Sequence, residues 1–123
     1  MSHEGYHEPV EALTAETKNL HRALVSLQEE LEAIDWYQQR ADACNDEALK
    51  AVLLHNRNEE VEHAMMVLEW IRRNDAKFDE FAREYLFKTA AITEIEAETK
   101  AAEEGVPAAG PPGELCIGSL RRP

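Results

Sequence analysis

Glu60 and His63 stand three residues apart in the run NRNEEVEHAMMVLEW, residues 56–70. If the run is helical, both side chains leave the same side of the helix and can reach one cation. Carboxylate oxygen with imidazole nitrogen suits iron, manganese or zinc, whereas an all-oxygen set would suit magnesium or calcium. The pair also sits where a helix should be apolar. Counted from Leu49, positions 49, 53, 56, 60, 63, 67 and 70 recur in 4-3-4-3 steps, and Leu49, Leu53, Val67 and Trp70 suit a packed seam. Asn56, Glu60 and His63 do not. An ionised carboxylate on a buried seam is costly without a partner. The stripe is therefore partly exposed, or a Lys or Arg pairs with Glu60, or a metal binds. Glu-x-x-His alone decides nothing, because Glu4-x-x-His7 matches it too, in an N-terminal segment read as disordered.

A second carboxylate strengthens the metal reading. In SLQEELEAIDWYQQR, Glu30 lies three residues after Leu27 and four before Ile34, beside an apolar seam, with Tyr37 two turns further along the same flank. A recurrent four-helix di-iron arrangement takes one Glu from each of two helices and Glu-x-x-His from each of the other two. This chain carries half of that set, Glu30 and Glu60-x-x-His63. A symmetric dimer would supply the rest and cover the apolar stripes that a lone hairpin leaves wet.

These residues require long helices. Glu8-Pro9 makes a plausible start, and Leu13, Leu20, Leu24, Leu27, Leu31 and Ile34 recur at helical spacing, predicting a helix from about Pro9 to about Ala41. Such a helix would be roughly 50 Å long at 1.5 Å per residue. ACNDE forms the turn, with Asn45 or Asp46 as cap, and a second helix runs from about Glu47 to Arg73. Phe78, Phe81, Ala82, Tyr85 and Leu86 mark a shorter third helix, which AAITEIEAETKAAEE either extends or restarts. No stretch alternates with period two, so the fold class is all-α: two long antiparallel helices plus a short C-terminal one. Residues 1–8 are read as a disordered N-terminus, 9–96 as the helical domain, 97–113 as a flexible linker and 114–123 as a separate tail.

Composition narrows the function classes. The 123 residues amount to one small domain, 44% hydrophobic, too short to bury much surface alone. A net charge of −12 argues against nucleic acid, whose phosphates it would repel, and favours cations near the surface. No apolar run approaches the length of a membrane span or a signal-peptide core, which predicts a soluble, intracellular protein without a membrane partner. Cys44 and Cys116 lie far apart, in the turn and the tail, and a disulfide framework is not expected. The chain has no Gly-rich phosphate loop, no serine elbow and no Cys-x-x-Cys, so no organic cofactor is implied.

The remaining histidines and methionines carry less. Met65 and Met66 are read as packing, since thioethers are poor ligands for hard iron. His21 and His55 are read as surface or packing residues, for want of a Glu at ligand spacing beside them.

From Gly105 the chain turns Pro/Gly/Ala-rich, in GVPAAGPPG, and ends in ELCIGSLRRP. Leu115, Ile117 and Leu120 are clustered there behind a stretch that buries nothing. One Glu against two Arg gives this decapeptide +1, leaving −13 on residues 1–113. That pattern suits a short linear motif on a tether, docking into a groove of another protein.

EELEAIDWYQQR, then HNRNEEVEHAMMVLEWIRRND, with YLF and a terminal IGSL, resembles the encapsulated ferritin family over nearly the whole chain. The resemblance implies half a ferritin-like four-helix bundle, completed by dimerisation, in dimers that assemble into a ring-shaped decamer inside an encapsulin shell. It implies ferroxidase activity, in which oxygen oxidises iron(II) and the iron(III) product is mineralised in that compartment, within the cytoplasm. At matching positions Glu30, Glu60 and His63 would be the di-iron ligands, and Trp36 and Tyr37 their neighbours. Glu29 and Glu32 would form the site by which metal enters. Leu115, Ile117, Gly118, Ser119 and Leu120 would bind the shell as a targeting peptide. Taken without the resemblance, Trp36 and Tyr37 are ordinary core or interface aromatics, and Glu29 and Glu32 ordinary surface charges. Other dinuclear-metal enzymes, peroxidase-like or manganese-dependent, and a non-enzymatic helical adaptor share much of the pattern.

Overall fold

The computed structural model describes residues 5–104. The chain divides into two compact units, Met1–Asp79 and Glu80–Pro123. All regular structure among the described residues is helical: α1 (Ala15–Ala43), α2 (Glu47–Asn74), α3 (Ala76–Tyr85) and α4 (Ile92–Glu103), preceded by one 3-10 turn at Val10–Ala12.

The first helix starts later than its sequence suggested. Pro9 opens only the 3-10 turn, Leu13 is extended, and α1 begins behind Thr14. The Thr14 hydroxyl accepts the backbone N–H of Thr17 at 3.0 Å. A side chain able to satisfy the free N–H groups of a new helix made a restart more favourable than continuation from Pro9. The second boundary matches expectation. Only Cys44, Asn45 and Asp46 separate the long helices, and Asp46 Oδ1 accepts the Leu49 N–H at 3.0 Å. So short a turn makes α1 and α2 an antiparallel pair, packed side by side.

The C-terminal end of α2 is locked by charge. Arg72 donates to Glu69 at 2.8 and 2.7 Å, Arg73 donates to the same carboxylate at 2.7 Å, and Arg72 also pairs with Asp79. The Arg72 and Arg73 hydrogen bonds hold the Glu69 carboxyl down at about 2. Asp75 caps α3 through the N–H groups of Lys77 and Phe78, both at 3.0 Å.

After α3 the helix restarts rather than extends. Phe87 lies in the left-handed region at φ 62° with its side chain 95% exposed, a conformation uncommon outside glycine. The linker boundary at 97 is corrected, since residues 97–103 belong to α4. Good helix formers with no Gly or Pro before Gly105, and a Glu96–Lys100 pair at 3.8 Å, carry the helix on. Residues 5–8, read as disordered, are described as well, and the Tyr6 ring centroid lies 4.7 Å from that of His21. The tail and its five candidate residues, Leu115, Ile117, Gly118, Ser119 and Leu120, lie outside the described residues.

Few apolar side chains are buried. Among the described residues the buried apolar side chains are Ala41, Ala64, Ile71 and Ile95. On α2 the deepest line, through Ala64 and Ile71, runs beside the predicted stripe rather than along it. Leu53 and Val67 of that stripe are half-buried, while Leu49 and Trp70 are 50% and 40% exposed. Leu31 on α1 is 52% exposed, and Met65 and Met66, expected to pack, are 53% and 58% exposed. An apolar stripe wider than one partner helix can cover leaves its outer edge wet.

Candidate metal centre

Glu30 comes from the middle of α1 and Glu60 and His63 from the middle of α2. The antiparallel pairing brings together residues 30 positions apart in sequence, and one donor atom from each lies within 4.8 Å of the other two. This is the one group of three His, Cys, Asp or Glu among the described residues so placed. His63 Nδ1 is 3.2 Å from Glu60 Oε1 and 4.0 Å from Glu30 Oε1. The carboxylates are about one-quarter exposed, at 27% and 24%, and the imidazole 42%, so the group is reachable without being fully hydrated.

Each charge here depends on the others. Contact with Glu60, with burial and the Glu60 charge, holds the Glu30 carboxyl above its usual 4.5. The same contact lowers Glu60, and His63 adds to the lowering. His63 is pushed above 6.5, first by its hydrogen bond to Glu60 and then by the fields of Glu30, Glu60 and Glu59, with burial opposing. Two carboxyl groups and an imidazole make a donor set suited to iron or zinc. Metal–ligand bonds of about 2.0–2.2 Å set donors about 3–4 Å apart, so small side-chain rotations would gather these three around one ion.

The other predicted residues are placed differently. Trp36 is 48% exposed and Tyr37 half-buried. Arg40 lies over both rings, with its guanidinium carbon 5.8 and 5.5 Å from the two centroids. A shallow recess of about 260 Å³ is lined by Trp36, Gln39 and Arg40. Glu29 and Glu32 are exposed on α1, and the Glu29 charge raises Glu30 slightly. The sequence reading missed Glu59. His55 does have a Glu at helical spacing, four residues on, with 3.9 Å between His55 Nε2 and Glu59 Oε2. Glu59 Oε1 lies 4.0 Å from His63 Nε2, so one carboxylate stands between two imidazoles. The spacing His-x₃-Glu-x₃-His was the signal available in the sequence.

A family model described as EncFtn-like matches residues 5–89. The chain belongs to that family. This EncFtn-like chain is 56% identical over 122 residues to an encapsulated ferritin-like protein of Rhodospirillum rubrum, covering 94% of this chain and 86% of the relative. It is 33% identical to the encapsulin nanocompartment cargo protein EncC of Myxococcus xanthus, over 95% of each chain. Among solved structures, it resembles the crystal structure of protein ne0167 from Nitrosomonas europaea. There the TM-score is 0.69 at 57% identity, over 72% of this chain and 97% of the other. The all-α fold is therefore that of an EncFtn-like protein: two long antiparallel helices, half of a ferritin-like bundle. No helix among the described residues is long and apolar enough to cross a membrane.

Proposed function

We propose that this EncFtn-like protein is a ferroxidase. On this reading it oxidises iron(II) to iron(III) with oxygen, at a centre built from Glu30, Glu60 and His63 of two chains, and delivers iron for mineral storage inside an encapsulin shell. The observation that carries the reading is the convergence of three donor atoms from two helices within 4.8 Å. Their chemistry suits iron, and a chain of this family is expected to handle it.

Iron is the substrate. Glu60, whose carboxyl is held low, offers a carboxylate, and His63, held above its ordinary range by that carboxylate, has to be neutral when it ligates. The carboxylates offset the cation charge and can bind through one oxygen or two as oxidation raises that charge. Each iron(II) then passes one electron to oxygen, and the acidic surface around the centre takes up the product cations.

Three protein donors are too few to enclose two ions. A second copy would bring the missing Glu30, Glu60 and His63, and it would also cover the exposed Leu31, Leu49, Met65, Met66 and Trp70. Dimers closing into a ring-shaped decamer would repeat the same contacts. Residues 114–123, with Leu115, Ile117, Gly118, Ser119 and Leu120, would bind pockets on the inner wall of the shell. The cargo role named for the Myxococcus relative supports that reading. In the same scheme Glu29 and Glu32 conduct metal inward and Trp36 and Tyr37 flank the centre.

Stopped-flow absorbance of iron(II) mixed with oxygen tests the activity. Wild-type protein should oxidise iron far faster than buffer, and Glu60→Ala and His63→Ala should lose most of that rate. Oxidation at the buffer rate by assembled wild-type protein would leave an adaptor. Equal rates in both variants would place the chemistry elsewhere. Size-exclusion chromatography with light scattering, with and without iron(II), tests the shared site. A monomer fraction that oxidises iron at the full per-chain rate without reassembling would refute it.

A further inference from the structure

We propose that Glu59 is a positioning residue for His63, holding the outer nitrogen of its ring so that the inner nitrogen is free to ligate. The inference rests on the metal-centre reading above and adds a residue to it. The two ring nitrogens of His63 face different carboxylates. Nδ1 faces the donor group, 3.2 Å from Glu60 Oε1 and 4.0 Å from Glu30 Oε1, whereas Nε2 faces away from it, 4.0 Å from Glu59 Oε1.

This arrangement poses a tautomer problem. A neutral imidazole carries one proton, and only the bare nitrogen can bind a metal. With the site free of metal, Glu60 draws the proton toward Nδ1, the nitrogen that ligation needs bare. Glu59 is the acceptor on the opposite side. A carboxylate at Nε2 favours the proton there, fixes the ring plane and makes Nδ1 a stronger donor, as carboxylate partners of ligating histidines do. The present 4.0 Å is longer than a hydrogen bond. Glu59 is 49% exposed, so its rotamer can change without disturbing packing and close the gap. Helical geometry explains how Glu59 reaches the ring, since it stands four residues before His63, one turn below it on the same face.

His55 competes for the same carboxylate. Its Nε2 is 3.9 Å from Glu59 Oε2, but its side chain is 70% exposed, and water can replace Glu59 as its partner. His63, less exposed at 42%, gains more from the contact.

The test measures zinc(II) affinity of the full chain by competition with a chelating dye, since zinc is redox-inert and suits the same donors. The variants are Glu59→Ala, Glu59→Gln and His63→Ala. Loss of a hydrogen-bonding partner behind a ligand histidine should weaken Glu59→Ala about 10- to 100-fold. Glu59→Gln, whose amide oxygen still accepts from Nε2, should recover most of that loss. Proton–nitrogen NMR of the zinc-loaded, histidine-labelled protein should show a slowly exchanging Nε2–H on His63 in wild type and Glu59→Gln, and a fast one in Glu59→Ala. Wild-type affinity in Glu59→Ala would overturn the assignment. So would Glu59→Gln behaving like Glu59→Ala, because Glu59 would then act only as a distant charge. If wild type bound zinc no better than His63→Ala, the metal-centre reading itself would fall and this inference with it.

Discussion

Protons should leave the site when metal arrives. His63 has its proton affinity raised above the ordinary 6.5, chiefly by its hydrogen bond to Glu60. The free sites therefore carry more imidazolium below neutrality than an ordinary histidine would. A ligating imidazole must be neutral, so zinc binding should expel a growing fraction of a proton per chain as pH falls. That release weakens zinc binding in acid, by at most about tenfold per pH unit for the one proton of His63. Glu30, whose carboxyl is raised by its contact with Glu60, adds to the release as its own range is approached. Glu60 is lowered and adds none in this window.

Isothermal titration calorimetry of zinc(II) in buffers of different ionisation enthalpy counts the protons directly. His63→Ala should lose most of the release at pH 5.5, leaving what Glu30 supplies. Fewer than about 0.2 protons expelled by wild type at pH 5.5 would refute the reasoning. An undiminished count in His63→Ala would do the same. The stability of the metal-free chain should depend on pH in opposite senses at His63 and Glu60. The raised His63 contributes stability below pH 6.5 that is lost as pH rises through its folded value. The lowered Glu60 contributes above 4.5 and loses it as pH falls through its own.

Ile71, fully buried at 0% exposure, should cost about 2–5 kcal/mol in urea unfolding when changed to Ala, and a loss under about 1 kcal/mol would contradict its place in the core. Asp46→Ala should remove the α2 cap and about 1 kcal/mol of stability while leaving zinc affinity unchanged, as read by thermal melting and dye competition. Deleting residues 114–123 should leave iron oxidation per chain intact and abolish loading into the cognate shell on co-expression. Fusing those residues to an unrelated soluble protein should load it, and equal loading by a version with Leu115, Ile117 and Leu120 changed to Ser would show that the tail is no address.

The donor group was legible because its spacing is local. Glu60 and His63 are a helical i,i+3 pair, and Glu30 announced itself as a carboxylate three residues from Leu27 and four from Ile34. The α1–α2 turn was legible for a similar reason, since Asp46 is a cap in type and position. The start of α1 was not, because two plausible starts compete within six residues. Pro9 sets a favourable φ, but Thr14 satisfies a free N–H, and only the second continues into a helix. The end of α4 was misjudged because Ala- and Glu-rich sequence was grouped with the Pro/Gly-rich stretch that follows it. Glu59 falls outside the Glu-x-x-His pair, although its two histidine neighbours at four-residue spacing are as visible in the sequence.

The periodicity itself misled in one instructive way. The 4-3-4-3 stripe predicts one seam, yet the buried positions Ala64 and Ile71 lie along its flank, and Leu49 and Trp70 stay half in water. A period near 3.5 marks a helix with apolar neighbours on more than one side, and one hairpin supplies only one. Glu60 and His63 sit on that stripe, at 24% and 42% exposure, between the covered flank and the wet edge. A carboxylate there avoids the full cost of burial in the single chain and meets it only when another surface closes over the stripe. On the proposed reading that surface is a second copy, and it brings two more carboxyl groups toward the first two. Their mutual repulsion opposes closure until a cation neutralises it, so on that reading the placement that spares the lone chain a buried charge also ties its assembly to metal.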